Sequence, residues 1–344
     1  MKGSVVITGG GTGGHLKVAK AFIDEYNNQL AIEPYFIGSS NGQDKKWFEH
    51  YSKIKKAYFL DTKGVVNKGF FGKIKSLFQI LKETNKCMDL FEKLDVQTVI
   101  SVGGFSAAPA TFAAILTPKC KLYIHEQNSY MGKLNKITSR FATEVFSSYL
   151  EESKIKDYPV SQEFFDEARI REDVKTVIFL GGSQGAVAIN NFALKVAKLL
   201  DERGIKIIHQ TGTYDYERIK NEYKKLNINV DVFDFSTDLI KKMSKADLAV
   251  SRAGASTLWE LTANSLPTIF VPYPYAAQDH QYGNAKFLEE KNLCFLVREK
   301  DLNEELLLTA INSDIKAISK ALVGLTTNDA VKKMIEFILY KNQE

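Results

Sequence analysis

The sequence predicts an α/β protein built from two doubly wound, Rossmann-like domains facing each other across a cleft. Three observations lead there. Two glycine-rich turns stand about half a chain apart, each directly after a short apolar strand: Ser4-Val5-Val6-Ile7-Thr8 runs into Gly9–Gly14, and Thr176-Val177-Ile178-Phe179-Leu180 runs into Gly181–Gly185. Around both turns, strand and helix patterns alternate, which predicts parallel sheets. The chain has 344 residues, 44% of them hydrophobic, which is enough for two cores, and such a length suits two domains of roughly 150–170 residues better than one.

The strands are short, apolar and β-branched, as strands buried on both faces are. In the first half they are expected near Val5–Thr8, Pro34–Ile37, Ala57–Leu60, Thr98–Val102, Leu122–His125 and Glu144–Phe146. Helices are expected after His15, across Phe70–Leu90, after Ser106 and around Lys133–Phe141. The second half repeats the rhythm, with strands near Val177–Leu180, Lys206–His209, Val230–Phe233, Leu248–Val250, Thr268–Val271 and Cys294–Leu296. Its helices follow Gln184, Tyr214, Thr237, Ala255 and His280. The joint falls in the polar stretch Tyr149–Ile170, which divides the chain into domains 1–160 and 161–328. A last helix, about Asp329–Tyr340, carries an apolar stripe at Val331, Met334, Ile335 and Ile338. It packs either on the second domain or back on the first.

Composition narrows the function. The net charge of +5 is uneven: residues 1–160 hold 22 Lys and Arg against 15 Asp and Glu, whereas residues 161–344 hold 24 against 26. A basic first half suits an anionic surface or substrate. No dense Lys/Arg stripe points to nucleic acid. The cysteines Cys87, Cys120 and Cys294 are scattered and form no metal-type cluster, the usage of a reduced, cytoplasmic setting. The chain starts directly on a strand, which leaves no room for a signal peptide, and no apolar run reaches the roughly 18–20 residues of a membrane span.

A strand, a glycine turn and a helix set backbone N–H groups around an anion. The first turn also reads as GxGxxG at Gly9, Gly11 and Gly14, but the acidic residue that a dinucleotide site places after the second strand is missing from Phe36–Ser40. Thr12, Gly13 and Gly14 line this turn. His15 follows it at a helix N-terminus, where the dipole disfavours a charged imidazole. It either caps the turn or accepts a proton from a nucleophile. A third glycine pair, Gly103-Gly104, precedes Phe105 and a helix, and Glu126 and Asn128 follow another strand. In an open parallel sheet, ligands bind at the carboxyl ends of the strands. In the second half, Ser183 with the N–H groups of Gln184 and Gly185 can hold a diphosphate. In Ser251–Glu260, which also carries Arg252, the small residues Ala255, Ser256 and Thr257 let a backbone approach a ligand, and Glu260 can accept from ribose hydroxyls. Gln278, Asp279 and Gln281 offer groups suited to a sugar.

Taken in order, GGGTGGH, GGFSAAP, HEQN, GGSQGA, SRAGASTLWE and DHQYGNA resemble the MurG family of bacterial glycosyltransferases over nearly the whole chain. The resemblance implies a GT-B fold and inverting transfer of N-acetylglucosamine from UDP-N-acetylglucosamine to lipid I, giving lipid II for the cell wall. It implies no metal and no cofactor. Ser183, Gln184 and Gly185 would meet the diphosphate, Glu260 the ribose and Gln281 the sugar, with His15 as base or phosphate contact, and Glu126 and Asn128 beside it in catalysis. The alternatives are a GT-B transferase with another lipid acceptor and a nucleotide-sugar epimerase of similar fold. Two departures stand out. The family's arginine after the interdomain Asn-Pro-Val is replaced here by Ser161, which leaves Arg252 as a candidate for that charge. Leu16–Ala19 also lacks the family's proline.

Phe70, Phe71, Ile74, Leu77, Phe78 and Leu81 recur at helical spacing among Lys63, Lys68, Lys73, Lys75, Lys82 and Lys86. The pattern taken alone favours a core-facing stripe with a solvated lysine face. A polyprenyl substrate shifts it toward a basic amphipathic helix on the anionic inner face of the cell membrane, with peripheral attachment on the cytoplasmic side and cell-wall synthesis proteins as possible partners.

Overall fold

The computed structural model describes residues 3–64, 70–182, 185–236 and 238–343. The chain divides into two compact units. One comprises Met1–Pro159 with Asp329–Glu344, the other Val160–Asn328.

The N-terminal unit holds a six-stranded parallel sheet of β1 (Ser4–Thr8), β2 (Tyr35–Ser39), β3 (Lys56–Leu60), β4 (Val96–Ser101), β5 (Lys121–Glu126) and β6 (Glu144–Ser147), in the order β3-β2-β1-β4-β5-β6. Its helices are α1 (Gly13–Leu30), α2 (Asp44–Phe48), α3 (Phe70–Leu94), α4 (Ala108–Leu116) and α5 (Lys133–Thr138). Val5, Val6, Ile7, Val99, Ile100, Leu122 and Ile124 are buried in the sheet, and α1 covers it with Leu16, Ala19, Phe22, Ile23 and Tyr26.

The C-terminal unit follows with α6 (Gln162–Asp166), β7 (Thr176–Leu180), α7 (Val187–Glu202), β8 (Lys206–Gln210), α8 (Tyr216–Leu226), β9 (Val230–Phe233), α9 (Leu239–Lys245), β10 (Leu248–Ser251) and α10 (Ala255–Ala263). Then come β11 (Thr268–Phe270), α11 (His280–Glu290), β12 (Phe295–Leu296), α12 (Glu304–Ile311) and α13 (Ile315–Leu322). Its sheet order, β12-β11-β10-β7-β8-β9, is the same doubly wound order as in the first unit. In each unit the chain reverses direction across the sheet at its first and fourth strands, β1/β4 and β7/β10. Ligands bind at such switch points.

The last helix, α14 (Ala330–Lys341), belongs to the N-terminal unit. Val331, Met334, Ile335 and Ile338 are its buried stripe. Phe337 packs edge-on against Phe146 at 5.8 Å. Asn342 accepts from the Tyr123 hydroxyl at 3.0 Å and donates to Thr98 Oγ1 at 2.9 Å.

The pattern of the sequence did not reveal α2, α6, α12 or α13, which are only five to eight residues long. Two of them carry a signal that periodicity misses. Asn303 and Asp314 are side-chain N-caps, accepting from Leu306 N and Ala317 N at 2.9 Å.

The expected core-facing stripe of α3 is corrected. Ile74, Leu77, Phe78 and Leu81 form one helical face, and that face is exposed, Phe78 by 69%. The opposite face, with Ile80, Glu83, Thr84, Cys87 and Phe91, is the buried one. The side chains of Phe70, Phe71 and Lys73 lie outside the described residues, as does Lys68.

Candidate functional site

In the N-terminal unit the switch-point turns lock into each other. Gly10 N donates to Gly103 O at 3.2 Å. Gly104 has φ +83° and ψ 170°, a region open essentially to glycine alone, and a Cβ there would strike Gly10 O. The Phe105 ring lies against Gly11, again with no room for a Cβ. The acid missing after the second strand comes from α2 instead. Asp44, fully buried, accepts from Gly11 N at 2.6 Å and Ser39 N at 2.8 Å. A carboxylate of the protein therefore fills the place an anionic ligand would take at Gly11. The open part of this turn is Gly13, with nothing within 4 Å of a built Cβ.

His15 stands two residues further on, half-buried in the first turn of α1. Its Nδ1 bonds the Thr12 hydroxyl at 2.8 Å. Its Nε2 lies beside Gly103, 3.4 Å from where a Cβ would be. Thr12 thus orients the ring rather than capping the helix, where no side-chain cap exists. Behind it is His125, missed in the sequence reading. It is 1% exposed, with neither ring nitrogen partnered among the described residues. Burial, with the charge of His15 added, pushes its pKa down to about 3, so it is neutral at pH 7.

Glu126 is revised from the catalytic role expected of it. Its side chain is 3% exposed, and its oxygens accept from Asn128 N at 2.9 Å, Gly132 N at 2.9 Å and Asn135 Nδ2 at 2.8 Å. These bonds hold the loop after β5 in shape and so position half-buried Asn128.

In the C-terminal unit the corresponding turns leave space. A Cβ at Gly182 or Gly254 would meet nothing within 4 Å. Among the described residues neither α7 nor α10 has a side-chain N-cap, as α1 has none, and such helix starts are anion-binding positions. Ser183 and Gln184 lie outside the described residues. Gly185 corrects its expectation: its N–H donates to Gly182 O at 3.1 Å within the turn, so it shapes the cradle and does not offer a free donor. At φ +85° it also passes so close to Thr211 O that a Cβ would sit 2.5 Å away. That carbonyl is held by Asn190 Nδ2 at 3.0 Å. Asn190 Oδ1 in turn bonds His209 Nε2 at 3.0 Å, and His209 Nδ1 bonds Tyr223 OH at 2.9 Å. Burial lowers the His209 pKa to about 3. No motif announced this network, although a polar residue on the inner face of a helix could have.

Arg252 is also corrected as a source of diphosphate charge. Its Nη1 donates to Val271 O and Pro272 O at 3.1 and 3.2 Å, and its Nη2 pairs with Glu299 at 2.7 Å. Ala255 is buried, and Ser256 and Thr257 are half-buried at the start of α10. Glu260, on the same helix, is 5% exposed. Gln281 Oε1 accepts from Tyr273 N at 2.9 Å. Asp279 is not free for a sugar: both its oxygens are held by Arg298, at 2.8 and 2.6 Å, which draws its pKa below the usual carboxylate range. Gln278 precedes it, exposed and at φ +55°. A cavity of about 530 Å³ lined by Ala188, Pro272, Pro274, Arg298, Glu299 and Lys300 opens here, within the usual range for small-molecule sites.

Two doubly wound α/β units with the same strand order are the GT-B architecture of glycosyltransferases. The chain belongs to glycosyltransferase family 28, whose N-terminal domain matches residues 5–147 and whose C-terminal domain matches residues 176–335. It is 49% identical, over 98% of both chains, to the UDP-N-acetylglucosamine--N-acetylmuramyl-(pentapeptide) pyrophosphoryl-undecaprenol N-acetylglucosamine transferase of Campylobacter jejuni subsp. jejuni serotype O:6. Among solved structures, Acinetobacter baumannii MurG aligns with a TM-score of 0.82 at 27% identity, covering 98% of this chain and 99% of that one. The UDP-GlcNAc 2-epimerase of Methanocaldococcus jannaschii shares the fold, with a TM-score of 0.60 at 13% identity over 98% of this chain and 99% of that one.

Proposed function

We propose that this protein transfers N-acetylglucosamine from UDP-N-acetylglucosamine to the 4-hydroxyl of the muramyl sugar of lipid I, with inversion, giving lipid II and UDP. The observation that carries the reading is the 49% identity over 98% of both chains to a transferase of that name. The epimerase shares only the fold.

His15 takes the acceptor proton, with Thr12 setting its orientation and Asn128 beside it on the acceptor side. The UDP leaving group meets the uncapped N–H groups of α7 and α10, because a departing diphosphate is stabilised by preorganised donors. Glu260 receives the ribose hydroxyls, and Gln281 with its neighbours reads the sugar. In this reading transfer needs no metal or cofactor, because backbone N–H groups and helix dipoles stabilise the departing diphosphate. Chelation with EDTA should leave the rate unchanged. The decisive assay follows UDP release from UDP-N-acetylglucosamine with and without a lipid I analogue. Release only with the analogue supports the transferase; release without it points to hydrolysis, and an epimeric nucleotide sugar formed without UDP release points to epimerisation.

The exposed face Ile74, Leu77, Phe78 and Leu81, flanked by exposed Lys75 and Lys82, suits peripheral attachment to the anionic cytoplasmic side of the membrane, where lipid I lies. Among the described residues, no helix is long and apolar enough to cross a membrane. Replacing Leu77, Phe78 and Leu81 by Ser should abolish co-sedimentation with vesicles containing anionic lipid. Unchanged binding would count against this attachment.

A further inference from the structure

We infer that Arg298 is a positioning residue for donor-sugar recognition, acting as a clamp on the segment that aims α11. Two consecutive non-glycine residues, Gln278 and Asp279, both sit at φ +55° immediately before α11. Side chains rarely adopt this conformation, and it persists only where the surroundings enforce it. Asp279 stands at the N-cap of α11, where an aspartate ordinarily accepts from the first N–H groups of the helix. It does not do so here, and no side chain caps α11. Both of its oxygens instead take the fork of Arg298, at 2.8 and 2.6 Å. The guanidinium also lies over the Tyr282 ring, 3.9 Å from its centroid. Arg298 comes from just beyond β12, two residues after Leu296, so the clamp ties the start of α11 to a sheet end at two points. Lysine cannot reproduce a planar fork that also stacks. The segment it fixes carries Gln281, whose oxygen is already committed to Tyr273 N. That leaves the direction of its amide donors to be set by the angle of α11.

The inference rests on the proposed reading of Gln281 as a sugar contact. The test compares affinities for UDP and for UDP-N-acetylglucosamine, by calorimetry, in the full-length wild type and in the variants R298Q, R298K, D279N and Q281A. The clamp predicts that R298Q loses about tenfold in affinity for the nucleotide sugar, about 1.4 kcal/mol, with affinity for UDP nearly unchanged. R298K should fall between R298Q and the wild type, and R298Q/D279N should be no worse than either single variant, because the two residues act as one unit. A purely structural role would weaken both ligands together, and that result overturns the inference. So does an unaltered affinity ratio in R298Q alongside a lowered one in Q281A. If Q281A itself keeps the wild-type ratio, the sugar-site reading fails and the clamp fails with it.

Discussion

The two units share one sheet order yet treat their switch points in opposite ways. In the N-terminal unit the crevice is filled by the protein itself: Gly10 bonds Gly103, Gly104 presses on Gly10, and Asp44 takes the N–H of Gly11. In the C-terminal unit a Cβ on the glycines at the same topological places, Gly182 and Gly254, would meet none of the described residues within 4 Å. A single fold can therefore make either a rigid support for a side chain or a cradle for an anion. The difference lies in what its own residues place at the ends of the first and fourth strands. The N-terminal switch point presents His15, and the C-terminal one presents backbone donors.

That division predicts which variants lose chemistry and which lose binding. His15→Ala should cost the most, on the order of 10²–10⁴ in turnover as expected for a general base, with affinity for UDP nearly unchanged. A parallel loss of affinity would move His15 to the donor side. Gly104→Ala should destabilise the N-terminal unit by about 3 kcal/mol, through backbone strain and the clash with Gly10 O, seen as an earlier denaturation midpoint. Gly254→Ala should stay within about 1 kcal/mol in stability and instead weaken UDP, because its methyl group enters the crevice. Equal unfolding of the two alanine variants would erase the distinction between the switch points. Glu260→Ala should lower affinity for UDP about tenfold, the loss of a charged hydrogen-bond acceptor, while leaving acceptor affinity intact.

A separate effect, on the pH dependence of stability, concerns the two buried histidines, one per unit. His125 and His209 both have pKa values held near 3, against 6.5 in an unfolded chain. Between those values the unfolded state binds more protons, so stability is fully present above about 6.5 and is lost as pH falls toward 3. Each residue contributes up to about 1.4 kcal/mol per pH unit. Urea denaturation at pH 7 and pH 5.5 should show the loss, and His209→Gln should flatten it. An unchanged slope in that variant would mean that His209 takes a proton while folded.

Much of this was legible in the residues. Alternating short apolar runs and glycine turns located both sheets, because strands buried on two faces admit little else. The order of motifs singled out His15, Glu260 and Gln281 as candidates. Other features depended on partners distant in sequence, and local pattern carries no record of those. Asp44 lies on a five-residue helix, and nothing near it marks the N–H of Gly11 as its target. Arg298, Asn190 and His209 act through residues 19 to 21 positions away. Arg252, expected to supply diphosphate charge, and Asp279, expected at the sugar, are paired instead with Glu299 and Arg298. The α3 stripe had the periodicity of a core helix, and periodicity alone does not say which face of a helix turns inward.

The unequal switch points are tested most directly by hydrogen exchange of the full-length protein with and without UDP. Exchange should slow in segments spanning residues 185–190 and 252–260, with little change at residues 10 and 11, whose N–H groups Gly103 O and Asp44 already occupy. Protection confined to residues 9–15, with none in the C-terminal unit, would contradict it.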